Sequence, residues 1–537
     1  MAGPGIDREF ERRMAALLNG GSTAVVRGGR RGIEKESLRV TPEGGIAATA
    51  HPRGLGSALT HPSITTDYSE SLLELVTPTF RDSATLLAFM ADLHQFVYRQ
   101  IGEEHLWAAS MPGEIASEAQ LPIAEYGRSN RGRFKHVYRQ GLQTRYGGLM
   151  QAIAGVHFNY SLHESFWPVF AQIQKSHEEG APFITEGYLA LVRNYRRHGW
   201  LVSYLFGNSP ALCASFLPGA LPEGLERRDP GTLIAPHATS LRMSDVGYRN
   251  RGETAVSVSA NSLHGYLRDL VSAVLQPHED YARLGVRVDG RYRQLNANLL
   301  QISNEYYTYI RPKRVPRADE NMCQALLRAG VEYVEVRALD LSAHAAPGAD
   351  LAELLFVEAL LVLLVLKDSP PIGSSEQEAL DRNHVRSARQ GRERGLQLER
   401  EGRRVPMRAW GEELLDSMQG VCELLDAGLA TRPYQNALAA QRAKFADPEQ
   451  TPSARVLREL AASERGHAAW ALELSAAHRR QLLDEHQADA TRLQEFQAQA
   501  EESLREQERI EASDKLSFEQ TLQRELERYR QVAAAVG

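Results

Sequence analysis

The chain has 537 residues, 43% hydrophobic and 24% charged, close to the globular average. With 62 basic against 68 acidic residues its formal net charge is -6, so no global field favours nucleic acid or an anionic membrane. Wholly disordered, collagen-like and small disulfide-scaffold classes are excluded; at about 150 residues per domain there is chain for three or four domains, or for one large core with insertions.

Residues 7–19 read as an amphipathic helix closed by Gly20 and Gly21. The N-terminal text MAGPGIDREFERRM carries acidic residues and no apolar run, so no signal peptide is expected. Residues 23–150 alternate short strands, Gly/Pro turns and a helix near 82–102. The most strand-like text lies in 150–345, interrupted by helices near 181–206 and 261–283. The greasiest stretch, Leu354 to Leu366, is broken by Glu358. It is too short to span a bilayer, which takes roughly 20 apolar residues, so 351–367 reads as a core helix. The text of 372–406 turns polar and Arg-rich and predicts an exposed insertion or long loop. Helices follow at 410–427, 434–445 and 452–480. The charged stretch 482–534 reads as a solvated helix packed by one thin face. The expected division is a catalytic core over 1–370, an insertion over 371–406 and a helical region over 407–537.

Cys213, Cys323 and Cys422 are far apart and in no zinc-ligand spacing, which reads as reduced thiols in a cytoplasmic protein. No GxxxxGK[ST] loop, GxGxxG turn, HExxH helix or GxSxG elbow occurs. A nucleotide would therefore be held through metal ions and arginines.

Side chains at i and i+2 of a strand share a face. That period puts unexpected polar groups together. Glu34 and Glu36 share a face in GIEKESL, and Glu74 sits inside the apolar run SLLELV. His157 and Asn159 alternate with Val156, Phe158 and Tyr160; Glu335 and Arg337 alternate with Val334 and Val336. Asn296 and Asn298 repeat the pattern over Leu295–Leu300. The reading is an antiparallel sheet with one apolar face on a core and one polar face lining a cleft. Clustered carboxylates repel unless neutralised, and oxygen-rich sites with one imidazole suit Mg²⁺ or Mn²⁺. Glu34, Glu36, Glu74, His157 and Glu335 are candidate ligands, and Asp67, just before the Glu74 strand, can join them. Arg337 would clamp a transferring phosphoryl group. Tyr138, Tyr248 and Tyr307 sit in polar contexts and are candidates for a small pocket. The basic, aromatic text of 126–146 reads as an anion-handling loop or a solvated helix face, not a nucleic-acid surface.

These blocks resemble the proteobacterial glutamate–cysteine ligases. The matching text includes GIEKESLRV, LGSALTHPSITTDYSESLLELVTP, the run from YGRSNRGRFKHVYRQG to GVHFNYSL, ATSLRMSDVGY, LQISNEYYTYIRPKRV and GVEYVEVRALD. It runs from about residue 20 to 480 and is weakest over 372–406 and beyond 485. The resemblance implies an α+β fold related to glutamine synthetase, with a curved antiparallel sheet whose concave polar face holds the site. It implies that ATP phosphorylates the γ-carboxylate of L-glutamate and that the amine of L-cysteine displaces phosphate, the first step of glutathione synthesis. A ligase of the same fold with another amine acceptor is the alternative. By resemblance, Glu34, Glu36, Asp67, Glu74, His157 and Glu335 fall on magnesium-binding positions and Arg337 on the phosphoryl-contacting arginine. Tyr68, Tyr138, Gln151, Arg242, Tyr248 and Tyr307 fall around the amino-acid substrates. The adenine-binding residues are not identified. A monomer that takes only small molecules is expected, with weak discrimination against 2-aminobutyrate.

Overall fold

The computed structural model describes residues 7–19, 23–217, 219–247 and 256–537. Gly20 and Gly21, expected to close the first helix, lie outside them, as does Tyr248. Seven strands form the central sheet: β1 (Arg30–Val40), β2 (Ile64–Thr66), β3 (Leu72–Val76), β4 (His105–Leu106), β5 (Gly155–Ser161), β6 (Ile310–Lys313) and β7 (Tyr333–Asp340). Their order is β6–β7–β5–β1–β3–β2, with β4 on the end of β1, and every neighbouring pair is antiparallel.

The period of two divides this sheet as expected. Ile33 pairs with Phe158, and Phe158 with Val336; all three are fully buried on one face. The helices Ser83–Tyr98, Gly180–His198 and Trp200–Phe206 pack against the sheet. Behind them runs Leu351–Leu366, buried along nearly its whole length, as an apolar sequence with no polar stripe requires. Asp82 and Asp350 cap two of these helices by accepting from the amides of Thr85 and Glu353. The helices Met407–Asp426 and Pro433–Ala446 close over Leu351–Leu366, so one hydrophobic cluster runs from Phe10 to Val532.

Three expectations need correction. The segment 372–406 is no loop: it holds the helix Ser374–Gln390 and a hairpin of Gln397–Arg400 with Arg403–Pro406. Leu380, His384 and Ala388, four residues apart, bury one face of that helix, while its arginines meet Glu399. Glu401 and Gly402 both take positive φ (52° and 73°), which a two-residue hairpin turn demands. Leu295–Leu300 is not a strand. Its asparagines serve the backbone instead: Asn296 Oδ1 accepts from the Asn298 amide, and their side-chain amides donate to the carbonyls of Gln301 and Val274. The charged tail is two helices, Ala490–Ser513 and Phe518–Val536, the second started by a Ser517/Gln520 capping box.

Candidate active site

The polar face of the sheet is assembled by register. Glu34 lies opposite His157, Glu36 opposite Glu74, and Glu335 opposite Asn159. Asp67 follows β2 directly. Between Val336 and Leu339 the pairing of β7 with β5 shifts, so two residues, Arg337 and Ala338, oppose His157. Such a bulge re-aims a side chain. Arg337 Nη1 lies 3.0 Å from Glu335 Oε1 and 3.4 Å from His157 Nδ1.

His157 is the hub. Its Nδ1 is 3.0 Å from Glu34 Oε2 and 3.6 Å from Glu335 Oε1, and its Nε2 is 3.6 Å from Glu36 Oε1. One ligand atom each from Glu34, Glu74 and His157 lie within 4.8 Å of one another. Glu36 is fixed from behind by the amide of Gly155, which donates to Oε2 at 2.8 Å. A Cβ at residue 155 would meet Arg242 Nη2 at 2.1 Å, so any larger residue there would displace the Arg242 guanidinium from its place.

The carboxyls divide into two kinds. Burial works against the charge of all four glutamates. Glu34 still sits below its ordinary pKa because His157 bonds it, and Glu335 is held well below by Lys313, Arg337, His157 and Arg311. Glu36 is raised by burial, only partly opposed by His157, with Asp67 adding repulsion. Glu74 is pushed well above the carboxylate range by burial and by the charges of Glu34, Asp67 and Glu36. Burial opposes the charge of Arg337 too, but Glu335, Glu36 and Glu34 lift its pKa above the ordinary value. A divalent cation among these oxygens would favour the ionised form of every one of them.

A cavity of about 480 Å³ opens over this face. Its walls bring together all six carboxylate and histidine candidates with Arg337, Tyr68, Tyr138, Gln151, Arg242 and Tyr307. Of the sequence-predicted positions, only Tyr248 lies outside the described residues. The 126–146 text is a helix, Asn130–Tyr146, capped by Ser129, whose Lys135, Tyr138, Arg139 and Leu142 face the cavity. Sequence reading did not single out Arg311 and Lys313, which also line it, though they alternate along β6 in the same period of two. Lys313 Nζ is 3.4 Å from Glu335 Oε2. Asn304 and Glu305 come from a short turn and carried no such signal.

Six buried polar atoms on or beside the cavity have no hydrogen-bond partner among the described residues: Tyr68 Oη, Gln151 Nε2, Asn159 Oδ1, Arg311 Nε, Glu335 Oε2 and Arg337 Nε. Each such atom costs about 1–3 kcal/mol unless something outside the chain satisfies it. Hard oxygen donors with one imidazole fit Mg²⁺ or Mn²⁺, and the cations beside them fit phosphate or carboxylate groups. The donor set of this cavity thus suits a divalent cation with an anionic group beside it.

The chain belongs to the glutamate–cysteine ligase family, whose pattern matches residues 14–386. It is 44% identical over 520 residues to the glutamate–cysteine ligase of Alcanivorax borkumensis, covering 96% of this chain and 99% of that one. It is 45% identical over 513 residues to the enzyme of that name from Azotobacter vinelandii, covering 95% and 96%. Among solved structures, the Francisella tularensis glutamate–cysteine ligase in complex with AMP superposes with a TM-score of 0.88 at 32% identity, over 94% of this chain and 99% of that one. That superposition takes in both the antiparallel sheet with its helices and most of the helical C-terminal region.

Proposed function

We propose that this chain joins the γ-carboxyl group of L-glutamate to the amine of L-cysteine, consuming ATP, as the first step of glutathione synthesis. The observation that carries the reading is the acidic cluster beside Arg337, in a chain so similar to glutamate–cysteine ligases along nearly its whole length.

The chemical obstacle is the leaving group, because a carboxylate does not expel oxide at neutral pH. Transfer of the γ-phosphoryl group of ATP to the γ-carboxylate converts that oxygen into part of phosphate. The cysteine amine, in its unprotonated form, then attacks the acyl carbon of γ-glutamyl phosphate. The C–N bond forms, the C–O bond to phosphate breaks, and the nitrogen loses a proton. Glu34, Glu74 and His157 would hold a divalent cation, with Glu36, Asp67 and Glu335 as further oxygen donors. Mg²⁺ or Mn²⁺ there would offset the charge of the polyphosphate. Arg337 is aimed at the same point by the β7 bulge, and its Nε is free of other protein bonds among the described residues. It would stabilise the phosphoryl oxygens as they shift between donor and acceptor.

Arg242 lines the cavity beside Arg337: its Nη2 donates to the Arg337 carbonyl at 3.0 Å and its Nη1 lies 3.8 Å from Asp340. With Tyr68, Gln151, Tyr138 and Tyr307 it would receive the amino-acid substrates, and Tyr248 would join them. The nucleoside half of ATP would run past Lys313 and Asn304 into an adjoining chamber of about 260 Å³ that both residues also line. The AMP bound by the Francisella relative supports an adenine nucleotide as co-substrate. No helix of the described residues is long and apolar enough to cross a membrane. We take the protein to act as a cytoplasmic monomer. The test is phosphate release from ATP and Mg²⁺ with L-glutamate, with and without L-cysteine, and mass spectrometry of the product. Cysteine-dependent release yielding γ-glutamylcysteine is expected. Release that ignores cysteine would point to another amine acceptor, and no release would overturn the reading.

A further inference from the structure

The helix Phe518–Val536 lies beyond the family match, yet it reaches the site. Tyr529 is 2% exposed although it belongs to a charged, mostly solvated helix. Its Oη accepts from the Ser303 amide at 3.1 Å and lies 3.1 Å from Ser303 Oγ. Ser303 begins the turn Ser303–Glu305. Ile302 and Asn304, on either side of it, line both the main cavity and the adjoining chamber. Glu305 lines the main cavity and is itself held by Tyr146 Oη at 2.7 Å and the Gln301 amide at 2.7 Å. Tyr529 and Glu525 complete the chamber wall, and Glu525 accepts from Asn321 Nδ2 at 3.0 Å.

The other end of the same helix grips a second wall of the site. Phe518 packs with Val137 and Leu295, and the Arg133 guanidinium lies 4.4 Å over its ring. Arg133 and Val137 belong to the helix that carries Lys135 and Tyr138 into the cavity. One C-terminal helix thus fixes the turn and the helix between which the nucleoside chamber opens.

We propose that Tyr529 is a positioning residue of the nucleotide site, holding the Ser303–Glu305 turn so that Asn304 stands where the main cavity meets the chamber. The proposal rests on placing the nucleoside half of ATP in that chamber. A turn released from Tyr529 blurs one wall of the nucleotide path and leaves in place Arg242, Tyr68 and Gln151, which are given to the amino acids and do not line the chamber.

The test uses the full-length protein with Tyr529→Phe, which keeps the ring packing and removes only the hydroxyl. Equilibrium binding of a fluorescent etheno-adenine nucleotide is measured beside the KM values for ATP, L-glutamate and L-cysteine and the unfolding midpoint. Loss of one buried hydrogen bond predicts about a fivefold rise in nucleotide Kd and in the KM for ATP. The KM values for both amino acids should stay within error. An unchanged nucleotide Kd, or equal rises in all three KM values, would overturn the proposal, because a merely structural residue acts without regard to substrate. If the wild-type protein binds the nucleotide but forms no γ-glutamylcysteine, the ligase reading fails while the Kd comparison still decides the role of Tyr529. Failure of the wild-type protein to bind it overturns both.

Discussion

The two faces of one sheet treat charge in opposite ways. On the core side of β1, Arg31 bonds Glu358, and Glu358 also accepts from Tyr434 Oη at 2.9 Å. Lys35 lies 2.7 Å from His94 Nε2, and His94 Nδ1 lies 2.7 Å from the Met90 carbonyl. Each core-side charge finds its partner within the chain. Burial still pulls the Lys35 ammonium down to about 7, so a neutral partner only softens the cost. On the cavity side, the carboxylates of Glu74 and Asp67 have no hydrogen-bonded or ion-paired partner among the described residues; Glu34, Asp67 and Glu36 press on Glu74, and Lys135 only partly relieves it. A charge partnered by the chain is a fixture of the fold. An enclosed acid that no side chain of the protein bonds, pressed by other acids, is placed for a partner from outside.

That contrast breaks most visibly in catalysis. Glu335→Gln should cut the rate of γ-glutamylcysteine formation by roughly 100-fold or more and, because Glu335 also partners Arg337 and Lys313, should lower the unfolding midpoint as well. A rate within a few-fold of wild type would remove Glu335 from the reacting centre. The core face should answer the other way. Glu358→Ala strands Arg31 without its partner and should cost about 3–5 kcal/mol in a denaturant titration, with the specific activity of the folded fraction retained. An unchanged denaturation midpoint would contradict the division.

A smaller effect comes from buried imidazoles away from the cavity. Burial holds His467 neutral in the folded protein down to about pH 4, against an ordinary value of 6.5. Between those values the unfolded chain binds the extra proton and the folded one does not, so stability falls as the pH drops from 6.5 toward 4. His467→Gln should flatten that acid limb by about 1–3 kcal/mol, read from denaturant titrations at several pH values. A limb of unchanged slope would show that His467 takes up its proton without unfolding.

Most of this division could be read from the sequence, because a strand's period of two is strict. Glu34 with Glu36, His157 with Asn159, and Glu335 with Arg337 alternate against Ile, Val and Phe, and register then places Glu74 opposite Glu36. Where side chains serve the local backbone the same period misleads, as with Asn296 and Asn298. Composition misled over 372–406, since the arginines that suggest a loop are the solvent face of a helix whose other face buries Leu380, His384 and Ala388. The part of the site taken from turns, Asn304 and Glu305, has no periodic signature. The hold of Tyr529 on Ser303 spans 226 positions of chain and shows in no local pattern.

The most direct test of the central claim is a Mn²⁺ titration followed by electron paramagnetic resonance, in the presence of ATP, on the wild-type protein and on Glu74→Gln. Gln matches the protonated acid in shape and removes its capacity to become a carboxylate ligand. The wild-type protein should bind Mn²⁺ at the cavity, and the variant should lose that binding with its metal-free unfolding midpoint unchanged. Equal Mn²⁺ binding by both proteins would contradict the account, leaving Glu74 an enclosed acid that no cation needs.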